Sequence, residues 1–281
     1  TLCERKPLMN TDNKIRGNGD IWFDLFAGQF RQREGQCASV KVADGVLDGQ
    51  AARIIAVVPD PENHYPRAVK GEVGLLEGWT LGQMVNEAIQ EDRDKPVKRA
   101  IVAIIDVPCQ AYGRREEAFG IHLALAAAAG AYANARLAGH PVIGLIVGKA
   151  MSGAFLAHGY QANRLIALND RDVMIHAMGK ASAARITLRT VEALEKLAST
   201  IPPMAYDIAN YKTLGLLEEL IDVADPKHPT QAEVQTVKAA VTKAIETARR
   251  EGVMLNNRLG SPNRASTSLV RERMKAEWNA A

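Results

Sequence analysis

The sequence predicts an α/β domain built on parallel strands. Two continuous apolar runs, residues 99–107 (RAIVAIIDV) and 142–147 (VIGLIV), flank a long Ala-rich segment. Neither run alternates apolar with polar, so each strand is buried on both faces, and a helix is the usual link between two such strands. A right-handed crossover is expected. The 281 residues, 47% apolar and 24% charged, are enough to bury a full core.

Each element follows from its own signals. Residues 1–19 are polar, without the apolar stretch of a signal peptide, and predict a flexible tail that orders only on a partner. Residues 54–58 (IIAVV) form a strand ended by Pro59 and Pro61. Residues 60–78, rich in Pro, Gly and charge, form a loop. Thr80 with Gln83 fits a capping box, although the helix can begin earlier, near Leu76; it runs through Gln90 to the charged turn EDRDKP. The strand 99–107 leads to a helix over 116–137, closed by Gly139 and Pro141. After the strand 142–147 come a short helix, 152–161, and a strand, 164–168. Helices are predicted over 187–200 and 203–212, and a last strand over 217–223. Thr230 with Glu233 makes a capping box for a helix reaching Arg250. Residues 20–255 read as the main domain, and 256–281 as a polar extension with a final charged helix from about Ser266.

Composition narrows the function. A net charge of +3, scattered along the chain, with 5% aromatic residues, does not predict nucleic-acid binding. The most apolar stretch, 121–133, is too short and too Ala-rich to span a bilayer, so a soluble protein is expected. Cys3, Cys37 and Cys109 are odd in number and lack CxxC spacing, which points to a reducing cytoplasm and away from disulfides or zinc. The six histidines show no metal-binding spacing, and no metal site is expected.

Two segments are candidate sites. The first is Gly148-Lys149-Ala150-Met151-Ser152-Gly153-Ala154, between a buried strand and a helix. Small residues let a main chain approach a ligand, and the first helical turn has unpaired N–H groups that favour negative charge. The plainer alternative is a tight turn whose small residues only permit packing. The second follows the strand 99–107 and reads Asp106-Val107-Pro108-Cys109-Gln110-Ala111-Tyr112-Gly113-Arg114-Arg115-Glu116-Glu117. Ligands of parallel sheets bind at the carboxyl ends of strands, and arginines there can meet carboxylate or phosphate. At least one of the two arginines reads more simply as solvated charge, and Cys109 as a strand-end thiol. His176, leaving a strand, and the cations Lys149 and Lys180 are further candidates for holding an anionic group.

Taken in order, these segments resemble the alpha-type subunits of acyl-CoA carboxyltransferases, members of the crotonase superfamily. PVIGLIVGKAMSGAFLAHGYQANRLIAL resembles their "GEGGSGGAL" region, and IIDVPCQAYGRREEAFG their "DTPGAYPG…AEERG" loop and helix. GEVGLLEGWTLGQMV, VMIHAMGKASAARI and KTLGLLEELIDVADPKHP match further positions in the same order, over about residues 51–230. GKAMSGAF followed by HAMGKASAARIT is most similar to the gamma subunits of malonate decarboxylases.

The resemblance implies a crotonase-type spiral of ββα units with surrounding helices. It also implies an active site shared with a homologous beta subunit. The substrate it implies is a malonyl group on an acyl carrier protein subunit, whose dephospho-CoA-derived thiol arm a transferase alpha subunit helps to load. No cofactor is expected on this chain itself. The chain has Lys149, Ala150 and Met151 where carboxyltransferases have glycines, and Cys109-Gln110 for Gly-Ala. These bulkier residues leave less room for a biotin ring and favour decarboxylation without biotin. Under this reading Ser152, Gly153 and Ala154 form the catalytic turn, with Met151 and Phe155 as its dry wall. Gln110, Ala111, Tyr112, Gly113, Arg114, Lys149, His176 and Lys180 would receive the substrate and carrier arm. The alternatives are a biotin-linked transcarboxylase subunit, a hydratase or isomerase of the same fold, and a non-catalytic scaffold that docks the carrier. A homo-oligomer of the isolated chain also stays open.

Overall fold

The computed structural model describes residues 16–34 and 37–280. The chain begins with α1 (Asn18–Ala27), β1 (Arg31–Arg33), β2 (Val40–Leu47), β3 (Gln50–Val57) and α2 (Leu75–Glu91). The central stretch comprises β4 (Ala100–Val107), α3 (Arg114–Ala118), α4 (Ile121–Leu137), β5 (Val142–Met151), α5 (Ser152–Ala157) and β6 (Arg164–Asn169). It continues through β7 (Met174–His176), α6 (Lys180–Ile186), α7 (Val191–Ala198), α8 (Ile208–Thr213) and β8 (Glu219–Asp222) to α9 (Gln231–Glu251) and α10 (Ala265–Ala280).

The sheet runs β1-β2-β3-β4-β5-β6-β8, antiparallel at its first two junctions and parallel from β3 onward. β7 joins the far end of β5, past the stretch that pairs with β6. The continuous apolar character of β4 and β5 has the expected cause: Ile101–Ile105 and Val142–Val147 are buried throughout. Gly78 lets α2 close on α4, since a Cβ there would stand 2.9 Å from the Ala124 carbonyl. The Thr230 capping box is present, with Glu233 accepting the Thr230 N–H at 2.7 Å.

Other elements differ from the sequence-based expectation. The predicted helix 116–137 is two helices, because Gly120 takes φ 83° between them. The helix containing Thr80 and Gln83 starts at Leu75, next to the earlier start expected near Leu76 rather than at a Thr80 cap, and Glu77 accepts the Gly74 N–H at 3.0 Å. The helix expected over 152–161 stops at Ala157, before Gly159 at φ 96°. The helix at 187–200 is confined to α7, which Thr190 caps, and α6 precedes it. The helix expected over 203–212 begins at Ile208, capped by Asp207.

Among the amino-terminal elements, α1, β1 and β2 were not anticipated. Asp48 and Gly49 both have positive φ, which suits the two-residue turn joining β2 to β3. Trp22, Phe23 and Phe26 of α1 are buried, and the Trp22 indole donates to the Pro226 carbonyl at 2.9 Å. The expected tail boundary at residue 19 therefore falls inside α1; residues 1–15 lie outside the described residues. In the carboxyl-terminal extension, Arg258 is buried and donates to the main-chain carbonyls of Tyr160 and Ala162.

Candidate active site

The site lies at the carboxyl ends of β4 and β5, where their pairing slips. Ile105 pairs with Ile146, but Val107 pairs with Ala150, so β5 carries two extra residues. Asp106 fills the bulge. Its carboxylate accepts the Lys149 N–H at 3.0 Å and the Gly19 N–H at 3.2 Å. A side chain at Gly148 would fall onto that carboxylate, with its Cβ 2.5 Å from Asp106 Cγ. Asn18, opening α1, donates to the Val147 carbonyl at 2.7 Å, so the amino-terminal helix also pins the bulge.

Beyond the bulge the chain stays extended, and Met151 pairs with His176 of β7. The expected turn over Gly148–Ala154 is therefore strand as far as Met151, and the change of direction falls on Ser152 at φ 52°. A serine there is uncommon, because left-handed backbone crowds a Cβ. Its Oγ accepts the Gln110 N–H at 3.3 Å. The Gly153 N–H, in the first turn of α5, donates to Gln110 Oε1 at 2.7 Å. The Gln110 loop is itself braced: Val73 donates to the Cys109 carbonyl at 3.1 Å, and Ala111 donates to the Val73 carbonyl at 2.9 Å.

The other end of α5 is fixed by His158, which is fully buried. Its Nε2 donates to the Ile104 carbonyl at 2.9 Å, because a carbonyl only accepts; Nδ1 then accepts the Tyr132 hydroxyl at 3.0 Å. Burial pushes its pKa down to about 4, so the ring is neutral and structural at pH 7.

The residues expected to form the site fall into two groups. Gln110, Ser152 and Gly153 meet directly. Ala154 is buried next to them in the chain. In the same loop Ala111 is buried, whereas Tyr112 and Arg114 are exposed, as is the Lys149 side chain. Gly113 caps α3, and a Cβ there would approach Arg67 and Glu116 to 2.6 Å. His176 and Lys180 form the second group. The His176 ring stacks on Tyr206, centroids 3.9 Å apart and 13° between planes, and burial lowers its pKa. Lys180 pairs with Glu195 at 2.8 Å and lies over the Tyr206 ring. Met151 packs with Ala184, Leu194 and Tyr206. Phe155 packs in the main core, edge-on to Tyr160, rather than walling the turn. Cys109 is half-buried, and burial raises its thiol pKa, which suits a packed thiol better than a nucleophile.

Asn18 and Tyr206 escaped sequence reasoning, and Asp106, though it opens the second candidate segment, was given no role. Asp106 left one trace, as the lone charge inside an otherwise apolar strand. The whole arrangement offers a braced backbone N–H, set against a polar loop, at the carboxyl end of the two central strands.

Comparison with known proteins gives this arrangement a context. The sequence model of the malonate decarboxylase gamma subunit family, MdcE, matches residues 68–278. The chain is 38% identical over 189 residues to the malonyl-S-ACP:biotin-protein carboxyltransferase MADD of Malonomonas rubra; the match spans 64% of this chain and 64% of that relative. Its fold is similar to a chain of a Pseudomonas malonate decarboxylase hetero-tetramer in complex with coenzyme A, with a TM-score of 0.90 and 57% identity, covering 93% of this chain and 99% of that one. A chain of the Pseudomonas MdcD-MdcE hetero-dimer matches with a TM-score of 0.86 and 54% identity, again over 93% and 99%. Transcarboxylase 12S, at 19% identity, TM-score 0.62, and coverage of 81% of this chain and 41% of that one, shares the fold, in line with the crotonase-type architecture expected from the sequence.

Proposed function

Because the chain belongs to the malonate decarboxylase gamma subunit family, we propose that it serves, with a homologous beta subunit, in a hetero-oligomeric decarboxylase. The complex converts a malonyl thioester on an acyl carrier protein subunit to the acetyl thioester. The observation that carries this reading is the Ser152–Gly153 turn, braced by the β4–β5 bulge and facing the Gln110 loop. Loss of carbon dioxide leaves an enolate whose charge falls on the thioester oxygen. Fixed donors at that oxygen lower the barrier, one being worth about 3 kcal/mol. The N–H groups of Gly153 and Ala154 are assigned that role; a backbone donor has no proton to lose.

The dephospho-CoA-derived arm of the carrier is the substrate's handle, not a cofactor of this chain. Tyr112, Arg114 and Lys149, exposed around the turn, are the groups that would meet it. A transferase alpha subunit that loads the carrier is part of the same proposal, as is a cytoplasmic location. Among the described residues no helix is long and apolar enough to cross a membrane.

An apolar rim supports a shared site. Trp79, Phe119, Leu123 and Leu156 are all more than half exposed. The outward residues of α4 include Leu123, Ala126, Ala127 and Gly130, with no charge along 121–135. Such a face suits cover by another subunit.

The test is carbon dioxide release from malonyl carrier by this chain, its beta partner and their mixture, repeated with Gly153→Val. Only the mixture should work, and the substitution should lower its rate at least 100-fold. The fold should survive, because the new Cβ would crowd the flexible end of Gln110, at 2.9 Å, and otherwise stand in ordinary contact with Leu125 at 3.6 Å. Full activity in a soluble Gly153→Val complex refutes the assignment. The name of the Malonomonas relative supports a second reading, a biotin-linked transcarboxylase; a requirement for biotinylated acceptor would establish it.

A further inference from the structure

The Gly153 N–H already has an acceptor, and it comes from the chain itself. We infer that the Gln110 side chain is a displaceable plug, its amide oxygen standing where the thioester oxygen must bind. This inference rests on the reading of Gly153 as an oxyanion donor and adds a control to that site.

The geometry has three parts. Gln110 Oε1 lies 2.7 Å from the Gly153 nitrogen, a full hydrogen bond between neutral groups. The same oxygen would stand 2.9 Å from a Cβ built on Gly153, so it occupies the space beside the turn as well as the donor. The Gln110 main chain is anchored independently, through Ser152 Oγ and the bridge to Val73. The side chain can therefore leave while the loop stays in place.

The energetics favour a plug that yields. A neutral hydrogen bond exchanged for another of the same kind contributes little net free energy. An incoming thioester oxygen replaces the amide oxygen as acceptor, so the donor is never left bare. Between turnovers the amide keeps the N–H satisfied and the turn in its reactive shape. The chemistry is selective: only a ligand that brings its own carbonyl oxygen to Gly153 can displace Gln110 without loss.

Two side-chain variants and two readouts test the inference. In the full chain, hydrogen exchange of the Gly153 amide should speed up roughly fivefold in Gln110→Ala, the factor that loss of one modest hydrogen bond allows. In the assembled complex, with malonyl-N-acetylcysteamine as probe, Gln110→Ala should lower KM by up to about fivefold, with the change in KM rather than kcat. Gln110→Glu should raise KM, because a carboxylate holds an N–H more strongly than an amide does. An unchanged Gly153 exchange rate in Gln110→Ala overturns the plug while leaving the catalytic reading intact. A raised KM in that variant also overturns it, since the side chain would then bind substrate rather than compete with it. If the Gly153→Val complex stays fully active, it is the catalytic reading that fails.

Discussion

Gly148 and Asp106 should behave as one unit, and that expectation can be measured. Gly148→Ala puts a methyl group onto the Asp106 carboxylate, with the Cβ 2.5 Å from Cγ. The carboxylate must then move and release two main-chain donors, Lys149 at 3.0 Å and Gly19 at 3.2 Å. Hydrogen bonds to a charged acceptor contribute roughly 1.5–3 kcal/mol each, so the loss is about 3 kcal/mol once partial rehydration is allowed. Asp106→Ala removes the same acceptor directly and should cost a similar ~3 kcal/mol. The double variant is the decisive one. Without the carboxylate the new methyl has lost its closest obstacle, since no other atom stands nearer than Asp106 Cβ at 3.1 Å. The combined loss should be about 3–4 kcal/mol rather than the ~6 kcal/mol of independent sites. Urea unfolding of the four proteins, followed by far-ultraviolet circular dichroism, gives the cycle. Additive losses, or a harmless Gly148→Ala, would refute the reasoning that the carboxylate occupies the bulge.

Two other expectations concern what holds the site in place. His158 is buried and neutral, with a folded pKa near 4 against an ordinary value of 6.5. Unfolded chains then bind the extra proton below pH 6.5, so stability falls as pH drops from about 6.5 towards 4, by about 3 kcal/mol in all. His140 and His176 are shifted the same way and add to the slope. His158→Gln should flatten the dependence in that window, and an unchanged slope in urea titrations at pH 4.5 and 7 would remove His158 as its source. Arg258→Ala withdraws the donor from the Tyr160 and Ala162 carbonyls and the cation from the Tyr160 ring. It should cost about 3 kcal/mol and speed chymotryptic cleavage of the carboxyl-terminal extension. An unaltered cleavage rate would mean that Arg258 does not anchor the extension.

The central fold was legible where burial alone decides conformation. Residues 99–107 and 142–147 have no alternation to misread, and β4 and β5 lie where those runs lie. The long helix was misjudged at Gly120, because helical composition on both sides hid a residue whose φ of 83° breaks the hydrogen-bond ladder. The β2–β3 hairpin carried its signal openly in Asp48-Gly49, yet its strands read weakly. Residues such as Lys41, Asp44 and Arg53 interrupt the apolar pattern, and Arg53 is fully buried. Its guanidinium is satisfied by the Asp44 carboxylate and the Met84 carbonyl, partners that only the tertiary structure brings together. The same limit applied to Lys180: it suggested an anion anchor as a cation near the site, and only the fold brings Glu195, fifteen residues on, to 2.8 Å from it.

The candidate site shows how a backbone irregularity can matter more than a motif. The loop around Gln110 and the turn at Ser152–Gly153 were each visible as a separate segment, 42 and 43 residues apart. Their union depends on the two extra residues in β5. Each strand residue advances about 3.3 Å, so with an unbroken register the turn would start about 7 Å further along the sheet. That is beyond the reach of a hydrogen bond from an anchored glutamine. Asp106 holds the extra length and Gly148 leaves room for the carboxylate that does so. The contact between Gln110 and Gly153 is thus set by two residues that touch neither of them. Loss of Asp106 should consequently free the Gly153 amide to exchange even where Gln110 is intact. The β4–β5 bulge, more than the small residues of the turn, is what makes this end of the sheet fit to receive a carbonyl oxygen.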